Sequence, residues 1–367
     1  MAAGELKTKP PRAGEELDGG ALARFLGAHV DGLAGVAAEA IRVTQFPGGH
    51  SNLTYLLTVE TPGTKMVREP VLRRPPFGNR VKNAHDVTRE ARYMKTIAPR
   101  YPRVPNVVAI EDDESVLGAP FFLMDPVRGA IFRRTPPPGV TVDGAIARTL
   151  SETTVDGLAE LHRVVVDGPL AELGKPEGFV RRQVSGWTER WRRAATDDVP
   201  DMDVVSDWIG RHVPAADPAG PAALVHNDWK LDNFVLDESD YSKIRCVLDW
   251  EMAAIGDPLI DVGTMLSYWV ESGDPEEQQF FAFGPTNAPG ALTRAEAVAR
   301  YAEKSGRDVS NVVFFFAFAC FKTAVVAAQI YARYKKGLTT DERFAMMIVG
   351  VKVLAAAARR AIETGKV

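Results

Sequence analysis

The chain has 367 residues, 46% hydrophobic and 25% charged, the balance of a globular protein long enough for two domains or one two-lobed enzyme. Its 44 Lys and Arg against 48 Asp and Glu give a net charge of −4, which leaves no basic footprint for nucleic acid as a partner. Two cysteines, Cys246 and Cys320, exclude a disulfide framework and a CxxC pair, and a reduced, cytoplasmic setting is the simplest expectation.

Residues 1–20, MAAGELKTKPPRAGEELDGG, contain no apolar core of signal-peptide type and read as a disordered tail. A helix is expected near Ala21–His29. Two β-rich runs, Ile41–Phe46 and Leu53–Val59, then flank a Gly48-Gly49 turn and predict a hairpin. More strand material lies at Met66–Arg73. In AHDVTREARYMKTI, Val87, Ala91, Met94 and Ile97 recur at helical spacing behind Asp86, which marks a start. NVVAIEDDESVLGAPFFLMDPV supplies two further strands around an acidic turn.

Beyond that point the pattern turns helical, over Ala145–Val166 and Phe179–Ala195 among others. Strand signals are confined there to ALVHNDW, NFVLD and IRCVLDWEM. The expected class is α+β, with a β-rich N-lobe over 21–127 and a mainly helical C-lobe over 128–367. NVVFFFAFACFKTAVVAAQIYARY looks most like a membrane segment, but Lys322 interrupts it after about ten apolar residues, short of the ~20 a span requires. A buried core helix, and no membrane span, is expected.

The chemistry concentrates in LVHNDWKLDNFVLD, Leu224–Asp237. A His, two Asp, a Lys and two Asn crowd between apolar flanks, which suggests a loop joining two short core strands. Catalytic groups tend to sit on such loops, although Asn and Asp are also ordinary turn formers. Downstream, in CVLDWEMAAIGDPLIDVG, Asp249 ends a second apolar strand. Mg²⁺ takes hard oxygen ligands, one or two of them carboxylates, so Asn233 and Asp249 fit as metal ligands. Asp228 is then left to orient and deprotonate a hydroxyl, the division of labour of phosphoryl transfer.

His226-Asn227-Asp228-Trp229-Lys230-Leu231-Asp232-Asn233 resembles the HxDxxxxN catalytic loop of the protein-kinase-like superfamily, and Asp249-Trp250-Glu251 resembles its DFG or DxD metal element. FPGGHSNLTYLL, VLRRPP, AHDVTRE and LGAPFFLMD occur in matching order. Over roughly residues 40–270 the chain is thus similar to the aminoglycoside phosphotransferase and choline kinase branch, and within it to the kinase-like domains fused to acyl-CoA dehydrogenases. The resemblance implies a bilobal protein-kinase-like fold with ATP and Mg²⁺ as cofactors. It implies Asp228 as the catalytic base, Asn233 and Asp249 as metal ligands, and Lys230 as a stabiliser of charge on the phosphoryl group in transit. Gly48, Gly49, His50 and Ser51 correspond to the turn over the nucleotide phosphates. Glu90 corresponds to the acid that pairs with a cation on the third strand. Arg73 stands in that cation's place instead of lysine, with Arg74 as a neighbouring alternative. Phe122, Leu123, Met124 and Asp125 correspond to the hinge that meets adenine.

The acceptor is expected to be a small-molecule hydroxyl, since no segment ending in APE follows Asp249. Likeness to the dehydrogenase-fused domains implies a hydroxy acid or hydroxyacyl compound; likeness to the wider branch implies an aminoglycoside, choline or a sugar. A nucleotide-binding pseudokinase acting as scaffold or sensor is the rival reading and rests on Arg73. A homo-oligomer is compatible with either. No GxxxxGK[ST], HExxH or GxSxG motif is present. His226 is expected to shape the loop, His162 to be structural, Asp261 to hold loop amides and Asp257 to cap a turn. Glu251 reads equally as a partner of the metal ligands or as a ligand itself. The arginines of FVRRQVSGWTERWRRA read as a solvated face with Trp187 and Trp191 packed inward, or as a cationic rim. Phe314–Phe318 read as core, or as a wall of an apolar acceptor pocket.

Overall fold

The structure is a computed structural model that describes residues 6, 8–47, 52–64, 66–77, 86–218, 220–339 and 341–367. It divides into two compact units, Met1–Gly129 with Arg245–Met252, and Ala130–Ile244 with Ala253–Val367.

The first unit contains α1 (Gly19–His29), β1 (Ile41–Gln45), β2 (Leu53–Glu60), β3 (Val67–Arg68), β4 (Val71–Arg74), α2 (Val87–Ile97), β5 (Val107–Glu111), α3 (Glu114–Leu117) and β6 (Phe121–Met124). The strands form one antiparallel sheet in the order β1-β2-β4-β6-β5, with β3 on β2. Alternation along β2 sends Tyr55, Leu57 and Val59 to one face, where they join Leu22, Phe25 and Leu26 of α1 in a buried cluster. Asp18 caps α1 through the Ala21 amide, and Asp86 caps α2 through the Arg89 amide.

Two expectations are corrected in this unit. Within the segment expected to be a disordered tail, the described residues 8–20 are ordered: Lys9 pairs with Gln45 on β1, the Tyr55 hydroxyl donates to the Glu15 carbonyl at 2.8 Å, and Gly19 opens α1. The open edge of β1 offers unpaired backbone groups, and this segment covers part of it. The strand expected at Met66–Arg73 is split in two, because Pro70 has no N–H for a ladder; its carbonyl still accepts from Leu57.

The second unit contains α4 (Gly144–Leu161), α5 (Gly168–Ala171), α6 (Phe179–Ala194), α7 (Pro200–Arg211), β7 (Ala223–Val225), β8 (Phe234–Asp237), most of β9 (Asp240–Val247), β10 (Ala254–Gly256), α8 (Leu259–Ser267), α9 (Glu276–Phe280), α10 (Arg294–Ser305), α11 (Val312–Lys335) and α12 (Met347–Thr364). β7 pairs with β10 and β8 with β9. The helix expected to reach Val166 stops at Leu161, where the His162 amide closes the last turn.

Helix α11 is long and apolar enough to cross a membrane by length and composition, yet 67% of its apolar window is buried inside the protein. It packs against α12, α8, α6 and α7 as the core helix of its unit, and Phe314–Phe318 lie in that core. Gly263 on α8 permits a backbone contact with α11, for a β-carbon there would stand 2.2 Å from the Phe315 carbonyl oxygen. Trp187 and Trp191 are buried while the arginines of α6 face outward, as both readings of that helix require.

Candidate active site

In the second unit the chain leaves β7 at Val225 and reaches β8 through a loop with a short 3₁₀ turn at Leu231–Asn233. Asp261, in the first turn of α8, fastens that loop: Oδ2 accepts the His226 amide at 2.7 Å and Oδ1 accepts the Asn227 amide at 2.6 Å. His162 Nε2 lies 3.2 Å from the same carboxylate, with Tyr301 on its other nitrogen at 2.7 Å. Burial holds the His162 pKa below its ordinary value. Burial works the other way on Asp261, but the His162 hydrogen bond and charge, with His226, outweigh it and hold this carboxyl below its usual range. His226 is buried and its Nδ1 accepts the Asp228 amide at 3.2 Å, the loop-shaping role expected of it. Trp229 is sealed in the core with its indole N–H on the Thr154 carbonyl, and Gly157 makes room for it.

Asp228 emerges from this anchored loop with its side chain 18% exposed. Oδ1 accepts the Tyr268 hydroxyl at 3.0 Å; Oδ2 lies 3.0 Å from Lys230 Nζ and 3.1 Å from Asn233 Nδ2. Asn233 also donates Nδ2 to the Asp228 carbonyl at 2.9 Å, so its amide oxygen is the atom left to meet a cation. Burial disfavours the Lys230 ammonium, but Tyr268, Asp228 and Asp232 outweigh that and raise its pKa. Lys230, Leu231, Tyr268, Trp269 and Phe283 line a mainly apolar recess in this unit.

In the first unit Arg73, on β4, gathers three carboxylates. Its Nε lies 3.1 Å from Glu90, and its Nη2 lies 2.7 Å from Asp249 and 3.4 Å from Glu251. Asn52 donates to Glu251 at 3.0 Å. Burial pushes the Glu90 carboxyl up to about 7, with Arg73 pulling it down and the Asp249 and Glu251 charges pushing it further up. Three carboxylates against one guanidinium leave an excess of negative charge on hard oxygens, which suits Mg²⁺. The described residues include no ready-made cage of three or more His, Cys, Asp or Glu, and Mg²⁺ bound beside phosphates needs only one or two carboxylates. Arg74 is buried elsewhere and donates to the Leu117 carbonyl, so Arg73 is the cation that meets Glu90.

Asn227 and Asp249 share a backbone peculiarity, with φ of +64° and +67°. They are the two non-glycine residues with positive φ among the described ones. Such conformations cost on the order of 1–3 kcal/mol and persist where the surroundings impose them, often at functional sites.

Gly48, Gly49, His50 and Ser51 lie outside the described residues. Phe122 and Leu123 are buried within β6, paired to β4 and β5, and Met124 ends the strand. The Asp125 amide donates to the Asn106 carbonyl at 2.9 Å, so the backbone of this expected hinge is engaged largely in the sheet. Tyr268, Lys322 and Asn52 escaped the sequence reading; only Lys322 carried a signal, as a lone charge inside an apolar run.

The sequence profile of the phosphotransferase enzyme family, APH, matches residues 42–296. The chain belongs to that family. This phosphotransferase-family chain is 30% identical over 332 residues to acyl-CoA dehydrogenase family member 11 of Homo sapiens, a match covering 89% of the chain and 41% of that protein. The chain therefore spans about two fifths of the length of such curated relatives. Among solved structures, a candidate aminoglycoside phosphotransferase from Ralstonia eutropha JMP134 superposes with a TM-score of 0.74 at 27% identity, covering 94% of this chain and 99% of that one. Choline kinase from Cryptosporidium parvum superposes with a TM-score of 0.65 at 13% identity, covering 95% and 97%. The fold is the kinase-like α+β fold that the sequence motifs imply.

Proposed function

We propose that this phosphotransferase moves the γ-phosphate of ATP to a hydroxyl of a small molecule. Asp228 orients the acceptor hydroxyl and takes its proton as the oxygen–phosphorus bond forms and ADP departs. The observation that carries this reading is the fixing of Asp228: an anchored loop behind it, Tyr268 on one oxygen, and Lys230 with Asn233 on the other. Lys230, beside Asp228, is assigned to offset charge on the transferred group. Asn233 and Asp249 would hold Mg²⁺, which when bound neutralises phosphate charge. Arg73, kept in place by Glu90, is assigned to the nucleotide phosphates; its guanidinium offers them a planar fork in place of an ammonium.

For the acceptor we favour a hydroxy acid or hydroxyacyl compound. The walls beside Lys230, from Leu231, Tyr268, Trp269 and Phe283, are mainly apolar, which would favour an apolar flank on the acceptor at that position. The name of the human relative points toward acyl chemistry as well. The test is transfer of label from [γ-³²P]ATP to a panel of hydroxy acids, hydroxyacyl thioesters, choline and aminoglycosides. Asp228→Asn is expected to lower kcat by about 10²–10⁴-fold on the accepted compound. Turnover unaffected by that substitution would refute the assignment, and the absence of any phosphoryl transfer would favour the pseudokinase reading.

A further inference from the structure

We infer that Lys322 of α11 is a positioning residue for phosphoryl transfer, holding the backbone that presents Asp228 through a hydrogen bond to the Asn227 carbonyl. The inference rests on Asp228 being the base. Asn227 is gripped on both sides: its N–H goes to Asp261 at 2.6 Å and its C=O receives Lys322 Nζ at 2.6 Å. Between those two grips the residue keeps a φ of +64°, a conformation that would relax without them. Asp228 is the next residue, so any relaxation there moves the carboxylate.

Lys322 is a costly choice for filling a core position. It is buried in an otherwise apolar stretch of α11, and that burial pushes its ammonium down to about 8. Asp228 on the loop and Asp261 on α8 favour its charge, while Lys230 on the loop and Arg190 on α6 oppose it. The Trp187 ring of α6 packs nearby, at 5.9 Å. Gly263 lets α8 approach the Phe315 backbone closely, so the helices carrying Asp261 and Lys322 pack directly against each other. A neutral side chain could fill the space, but it would not supply a charged donor to the Asn227 carbonyl.

The test uses the full chain, with hydrogen exchange of the 224–234 loop and hydrolysis of Mg-ATP without acceptor as readouts. Lys322→Met is expected to speed loop exchange at least tenfold, leave exchange in α4 unchanged, and lower kcat per folded molecule at least tenfold with KM for ATP unaltered. Lys322→Arg is expected to recover most of both effects. Loop exchange or kcat unchanged in folded Lys322→Met overturns the inference. If that variant does not fold, Lys322→Gln takes its place with the same readouts: faster loop exchange and lower kcat are expected, and wild-type values of both overturn the inference. Asp228→Asn, which keeps the side chain's size and hydrogen-bonding atoms, separates the two readings: it should suppress hydrolysis while largely sparing loop exchange, and activity persisting in it sinks the base assignment alone.

Discussion

Arg73 and Glu90 form an ion pair at 3.1 Å in which the carboxylate side chain is 2% exposed and the guanidinium 15%. Without Arg73 the buried Glu90 carboxyl, already pushed up to about 7, would take up a proton, so the expected cost is that of the lost charge-assisted hydrogen bond, about 1.5–3 kcal/mol. Arg73→Ala is therefore expected to lower the urea midpoint by that equivalent, and Arg73→Lys by less. An Arg73→Ala variant as stable as wild type would show that the pair contributes nothing to the fold.

Tyr268 bears on Asp228 in a different way. Burial, helped by the Asp228 charge, raises the Tyr268 pKa, so its hydroxyl stays protonated and donating at working pH. Hydrogen bonds to charged groups contribute about 1.5–3 kcal/mol. Tyr268→Phe is expected to reduce kcat about tenfold or more while the KM for ATP holds. Steady-state kinetics giving wild-type kcat would remove Tyr268 from the mechanism.

The buried Lys322 predicts a pH signature in stability. Its folded pKa, about 8, lies below the unfolded value of 10.5, so the unfolded chain binds more protons between those limits. By linkage, stability from this group rises as pH climbs from about 8 to 10.5, and below 8 the buried charge costs roughly 3 kcal/mol. Urea titrations from pH 7 to 10 should show this rise in wild type and a smaller one in Lys322→Met. Parallel curves for the two proteins would contradict it.

Gly263 makes a prediction about packing. A β-carbon added there meets the Phe315 carbonyl oxygen, a backbone atom that cannot rotate aside. Gly263→Ala is expected to cost about 3 kcal/mol as α8 and α11 separate. It should also loosen the loop that Asp261 fastens, which hydrogen exchange at Asn227 would register.

Legibility in the sequence followed the physics of each element. The β1–β2 hairpin and α2 were readable because alternation and helical spacing extend over whole segments. Three-residue β10 was not, being too short to carry a period. The order of motifs put forward Asp228, Asn233 and Asp249 as candidates, since each lies within a local pattern. Tyr268 and Lys322 reach the loop from 40 and 95 positions away, through tertiary packing that no local pattern records. Over residues 8–18 the disordered-tail expectation failed for the same reason: their polar, proline-bearing composition does not reveal the strand edge that orders them.

The first unit draws on two separate stretches of chain, because Arg245–Met252 returns to it long after Gly129. A stop codon after Gly129 would thus make a fragment in which Arg73 keeps Glu90 but has lost Asp249 and Glu251. Dissection by simple truncation would report on a crippled half. A faithful minimal version of this unit would need 245–252 spliced back in, by circular permutation or as a supplied peptide.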